Sequence, residues 1–171
     1  MSRPRLDVTA PHDEPVILFR RAFRAPARLV FSAWTEPAHL RHWRAPRGFE
    51  LVVCQVDLRV GGGYYFVHRA PDGSQHAFRG QYLQIERPSR LVSRFTYEAA
   101  PETEMLDEVT FTGNGGTTLV TGRTVFPTFQ ARELYAAAGA ERGLAECHER
   151  LDELLAALAA RPREGQRQCG N

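Results

Sequence analysis

The sequence predicts an α+β fold: one curved antiparallel sheet of about six to seven strands, two short helices, and a long C-terminal helix over a cavity. Three observations predict it. From Phe49 to Phe126 short β-rich runs alternate with tight turns, which makes consecutive strands antiparallel neighbours. Between the first strand and this run lie two short helical patterns. After Pro127 the strand chemistry stops, and from Gly139 to Ala160 the apolar residues return at helical spacing.

Taken in order, residues 1–14 carry charge and two prolines without periodicity, and read as a flexible lead-in to a single domain over residues 15–160. Val16 to Phe23 is the first strand, stopped by Pro26. Arg28 to Trp34 places Leu29, Val30, Ala33 and Trp34 on one helical side. Thr35-Glu36-Pro37 is a helix-start signal, a capping residue followed by a proline in the first turn, for a helix running to about Trp43. The strands are then Phe49 to Asp57, Tyr64 to Arg69, Ala77 to Glu86, Leu91 to Tyr97, Glu104 to Thr112 and Thr117 to Phe126. Gly61-Gly62-Gly63, Pro71-Asp72-Gly73, Pro88-Ser89 and Asn114-Gly115 are the turns between them. In the last helix Leu144, Cys147, Leu151, Leu154, Leu155 and Leu158 form one stripe. Twenty residues rise about 30 Å, the width of a small sheet. Gly139 and Gly143 weaken its first turns. Residues 161–171 read as a flexible polar tail. One helix cannot cover such a sheet everywhere, so a pocket is expected between them.

Composition excludes several function classes. Hydrophobic residues make up 43% and charged residues 25% of the 171, an ordinary globular balance. A net charge of +2 with scattered basic residues gives no case for nucleic acid. No apolar run reaches the ~18 residues of a membrane span, and the N-terminus lacks a signal peptide's apolar stretch, so a cytoplasmic protein is expected. Cys54, Cys147 and Cys169 include no CxxC pair and read as two buried thiols and one tail thiol.

The motifs carrying chemistry are few. Asp57-Leu58-Arg59 before three glycines lacks the Gly-Lys-Ser/Thr of a phosphate loop, and reads as a tight turn with Asp57 and Arg59 paired across it. His39 and His42 share a helix face, with His68 or His76 as the only available third ligand, and no metal-binding spacing appears. No nucleophile elbow is present, so no catalytic residue, metal ligand or cofactor is assigned. Strand alternation turns Arg94 and Glu108 outward if Phe95, Tyr97, Val109 and Phe111 face in; Arg123 also interrupts an apolar strand. The aromatic residues are more informative. From the strands, Phe49, Tyr64, Phe66, Phe78, Tyr82, Phe95, Tyr97 and Phe111 are candidate cavity residues. Trp43, Tyr135, Leu144 and Leu151 join them from outside the sheet. Tyr64, Tyr82 and Tyr97 are the expected polar handles, because a buried hydroxyl needs a partner.

These segments resemble the START/SRPBCC superfamily, and most closely its branch named for the activator of the heat-shock-protein-90 ATPase. The resemblance rests on Ala33-Trp34-Thr35-Glu36-Pro37, Trp43, Pro46-Arg47-Gly48-Phe49, Asp57 to Gly62, Gly80 to Ile85 and Arg150 to Leu155, and covers about residues 16 to 160. Arg44-Ala45 stands where the family usually has a second aromatic and Gly, and Gly143-Leu144 where many relatives have Gly-Trp. The resemblance implies a helix-grip fold that binds an apolar small molecule, lipid-like or aromatic, as carrier or sensor. Two alternatives follow. One is a cyclase- or dehydratase-type enzyme using pocket Tyr, His or Arg, which requires a buried polar residue in the cavity. The other is a stress-linked co-chaperone-like protein, whose second domain a chain of this length has little room for. Sheet edges can pair, which leaves a homodimer as an alternative to a monomer.

Overall fold

The computed structural model describes residues 4–161. Its strands are β1 Asp7–Thr9, β2 Val16–Phe23, β3 Glu50–Val56, β4 Gly63–Arg69, β5 Gln75–Glu86, β6 Arg90–Tyr97, β7 Glu104–Asn114 and β8 Thr117–Val125. Its helices are α1 Ala27–Thr35, α2 Pro37–Trp43, α3 Phe129–Ala137 and α4 Ala140–Ala159. All eight strands form one antiparallel sheet in the order β1-β2-β8-β7-β6-β5-β4-β3. The long β2–β3 connection, which carries α1 and α2, lets β2 pair with β8 and leaves the hairpin meander β3 to β8 intact.

Two elements differ from the sequence expectation. Residues 7–9 are a strand, with Val8 opposite Phe19, and not part of a loose lead-in. Three residues carry too little alternation to betray a strand. The stretch after Pro127 forms α3, opened by Thr128, whose hydroxyl accepts the Ala131 N–H at 3.0 Å. Its surface is nearly all exposed, so it has no apolar stripe to read. Arg132 fastens it down, donating to the carbonyls of Pro11 at 2.5 Å and Glu14 at 2.9 Å. The expected tail lies, from residue 162 on, outside the described residues, as does Cys169.

The helix junctions have clear causes. Pro37 occupies the first turn of α2 as expected, but Thr35 does not cap it. Its hydroxyl donates back to the Phe31 carbonyl at 2.8 Å, and Glu36 is the N-cap residue. Gly139 adopts φ 82°, a left-handed conformation that turns α3 into α4 without a Cβ penalty. At the β3–β4 turn Gly61 has φ 83°, and Arg59 pairs with Asp57 at 2.8 Å as the sequence suggests.

α4 lies across the inner face of the sheet and buries Cys147, His148, Leu151 and Leu155. Leu144, Leu154 and Leu158 are only half-buried, because they sit at the margins of the stripe. α2 packs under it through Leu40 and Trp43, both closed to solvent, and the Trp43 indole donates to the Ala33 carbonyl at 2.8 Å. Polar clamps fix the end of α2 to α4. Arg150 donates to the Ala45 carbonyl and Arg47 pairs with Glu153, each at 2.5 Å. Such exposed pairs set geometry more than stability.

Candidate functional site

Strand register builds the site. Tyr82 of β5 lies opposite Ser93 of β6, Ser93 opposite Asp107 of β7, Asp107 opposite Thr124 of β8, and Thr124 opposite Ile17 of β2. Because side chains alternate along each strand, Tyr82, Ser93, Asp107 and Thr124 form one polar row across a largely apolar inner face. Above the row is a cavity of about 210 Å³. Its apolar walls include Phe19, Trp34, Phe66, Leu91, Phe95 and Leu144. Val8 and Ala10 close one side, so the unexpected strand β1 is part of the wall. Arg44 reaches in from the end of α2, and Tyr135 from α3.

Asp107 is the acidic group of the polar row. Thr124 donates a hydrogen bond to its Oδ1 at 2.7 Å. The cavity leaves part of the residue accessible, yet burial pushes its carboxyl above the usual range, while the Thr124 hydrogen bond and the Arg44 charge pull it back. Tyr64 stacks on Phe66 with ring centroids 4.9 Å apart. Burial, then the Asp107 charge, pushes its phenol above the ordinary value, against the opposing pull of Ser93 and Arg44. Burial raises the Tyr82 phenol to about 12. Tyr135 is 38% exposed, but burial and the Asp107 charge still hold its phenol up at about 12. At neutral pH all three phenols therefore carry O–H donors. The Arg44 guanidinium packs against the rings of Trp43 and Phe66, 5.8 and 5.7 Å from their centroids.

A raised carboxyl has a consequence for stability. The unfolded chain releases the Asp107 proton near 3.8, and the folded chain holds it to higher pH. Ionised Asp107 therefore costs stability as pH rises through its folded value. Asp107→Asn keeps an acceptor for Thr124 and cannot ionise. It is expected to raise Tm more at pH 7 than at pH 3; an equal shift at both, measured by thermal unfolding, contradicts a raised carboxyl.

The twelve sequence candidates divide evenly. Tyr64, Phe66, Tyr82, Phe95, Tyr135 and Leu144 line the cavity. The other six do not. Trp43, Phe111 and Leu151 are core, with Phe111 packed edge-on against Phe31 and Trp34. Phe49 and Tyr97 flank His76, Phe78 stacks on Tyr97 and Phe95, and the Tyr97 hydroxyl meets His76 Nδ1 at 2.8 Å instead of facing a ligand. Arg94 and Arg123 are exposed and Arg123 pairs with Glu14 at 2.8 Å, while Glu108 is half-buried with Arg90 at 2.9 Å. Sequence reasoning missed Asp107 and Thr124, and did not count Ser93 or Arg44 among the cavity residues. Asp107 could have been found, because it shares strand parity with Val109 and Phe111. Cys54 and Cys147 are buried free thiols, and burial lifts Cys147 to about 11, far from a reactive thiolate.

A family model described as "Activator of Hsp90 ATPase homolog 1-like protein" matches residues 24–156. The chain belongs to this family. Its fold is the helix-grip fold of the START/SRPBCC superfamily. Among solved structures, a Rhodobacter sphaeroides protein is 26% identical, covering 90% of this chain and 99% of its own, with a TM-score of 0.82. A Nitrosomonas europaea protein is also 26% identical, covering 85% and 97%, with a TM-score of 0.77. An Arthrobacter aurescens protein at 20% identity, covering 96% and 98% with a TM-score of 0.81, shares the fold. No curated protein matches the chain. Among the described residues no helix is long and apolar enough to cross a membrane.

Proposed function

We propose that this protein binds a small, largely apolar molecule in the cavity between the sheet and α4, as a cytoplasmic carrier or sensor. One observation carries the proposal: a cavity with largely apolar walls and a small set of polar and charged groups, the usual make-up of a small-molecule site. Family membership is compatible with ligand binding and with a co-chaperone-like role, and the cavity favours the first. Its volume, about 210 Å³, lies below the roughly 300–1,000 Å³ of drug-sized sites, which favours a compact ring system over an extended lipid chain. Native mass spectrometry of freshly purified protein, followed by denaturing extraction, is expected to release a bound small molecule or to show stoichiometric uptake of an added apolar dye. Protein that is empty and takes up no dye contradicts the proposal.

Asp107 favours a second reading, an enzyme of the cyclase or dehydratase type. A shielded carboxyl with a raised pKa beside the Tyr64 phenol is what proton transfer to an apolar substrate requires. On this reading Asp107→Asn abolishes turnover of a bound compound and leaves its binding intact.

A further inference from the structure

We propose that the cavity's occupant is a small aromatic or alicyclic carboxylic acid, its carboxylate held by Arg44 and by phenol donors of the cavity wall. The proposal rests on the ligand-binding function above and names its substrate class.

Charge bookkeeping around the cavity leads to it. Two arginines line the space. Arg123 is exposed and already paired with Glu14 at 2.8 Å. Arg44 is half-buried, touches the Trp43 and Phe66 rings, and has no carboxylate within ion-pair distance among the described residues. A partly desolvated guanidinium without an anion is costly, and a planar oxyanion that its fork can grip relieves that cost. None of the lining carboxyls forms an ion pair with Arg44, although Asp107 feels its charge. Glu108 holds Arg90 at 2.9 Å, Asp107 accepts from Thr124 at 2.7 Å, and Glu141 is exposed on α4. Against this cation stand three phenols held in their donor form, Tyr64, Tyr82 and Tyr135. Donors around a free cation select an acceptor-rich, anionic group. The remaining wall is aromatic and aliphatic, so the rest of the ligand is apolar and small.

Isothermal titration calorimetry with matched pairs tests this: benzoate against benzyl alcohol, and 2-naphthoate against 2-naphthalenemethanol. The acid of each pair is expected to bind about tenfold or more tighter than its alcohol. In Arg44→Gln that preference is expected to vanish while the alcohol still binds. Equal affinity of acid and alcohol in the natural protein overturns the carboxylate inference and leaves the ligand-binding function standing. A preference that survives Arg44→Gln overturns the assignment to Arg44. Binding of neither member of a pair overturns both the inference and the function beneath it. The wild-type comparison decides the ligand class even if the variant fails to fold.

Discussion

His148→Leu is expected to raise the thermal midpoint at neutral pH and to flatten the loss of stability as pH falls from about 6.5 towards about 3. His148 lies at the centre of the α4 stripe, three residues before Leu151 and seven before Leu155, and is closed to solvent. Neither ring nitrogen has a hydrogen-bond partner. Around it stand the rings of Phe19 at 5.0 Å, Trp34 at 5.6 Å, Phe23 at 5.7 Å and Trp43 at 6.3 Å. An unpartnered buried polar group costs roughly 1–3 kcal/mol, and leucine, of similar size, removes that cost. Burial, then the Arg21 and Arg44 charges, lower the His148 pKa from 6.5 to about 3. Between those values the unfolded chain takes up a proton that the folded chain refuses. Above 6.5 the group is neutral in both states and adds no pH dependence; below it, stability falls until the folded form also protonates. The total is on the order of a few kcal/mol. His68, lowered by burial to about 4, acts in the same direction. Chemical denaturation across this pH range reads the result. An unchanged acid limb in His148→Leu excludes His148 as its source, and a loss of stability at pH 7 means that its nitrogens do have a partner.

His148 also marks the limit of what the sequence reveals. The helical stripe was legible because five leucines and Cys147 repeat at helical spacing, and period alone fixes which face they share. A histidine inside that face breaks the apolar pattern and reads as a polar edge. The hairpin meander was legible for a local reason, since turns such as Asn114-Gly115 specify their own neighbours. β1 and α3 were not legible, because nothing local defines them. β1 exists through its pairing with β2, and α3 is fixed by the contact of Arg132 with carbonyls more than a hundred residues earlier.

The cavity was legible as a necessity of layers and only half legible as a set of residues. Tyr64, Phe66, Tyr82 and Phe95 line the space, but strand parity does not say how far along the sheet it lies. Phe78 and Tyr97 have the same parity but stack on each other, with Tyr97 against His76. Arg44 enters from a helix end, where no periodicity applies. Asp107 was obscured by the search for charges that interrupt apolar strands, which drew attention to its neighbour Glu108.

Two inward glycines carry the other large expected effect. Gly80 lies opposite Tyr64 and Gly122 opposite Phe19, and in each pair the ring covers the glycine across the strands. A Cβ on Gly80 falls 2.0 Å from Tyr64 Cζ, and one on Gly122 falls 1.9 Å from Phe19 Cε1. Neither glycine has a positive φ, so the close approach and not the backbone requires them. Gly80→Ala and Gly122→Ala must each expel a ring, at a cost of about 1–3 kcal/mol by overpacking. Gly143→Ala is the contrasting case. Its Cβ meets only Pro46 Cγ at 3.6 Å, an ordinary contact, and a glycine in a helix is worth roughly 0.5–1 kcal/mol less than alanine, so that variant should gain stability. Tyr64 and Phe19 both line the cavity, but only Tyr64 offers a hydroxyl there. Gly80→Ala should therefore weaken binding of 2-naphthoate more than of 2-naphthalenemethanol, and Gly122→Ala should weaken both alike. A double-mutant cycle isolates the cause: in a Tyr64→Leu background Gly80→Ala should cost much less, because the ring it collides with is gone. Full additivity of the two changes would mean that Gly80 is required for some reason other than the ring that lies on it.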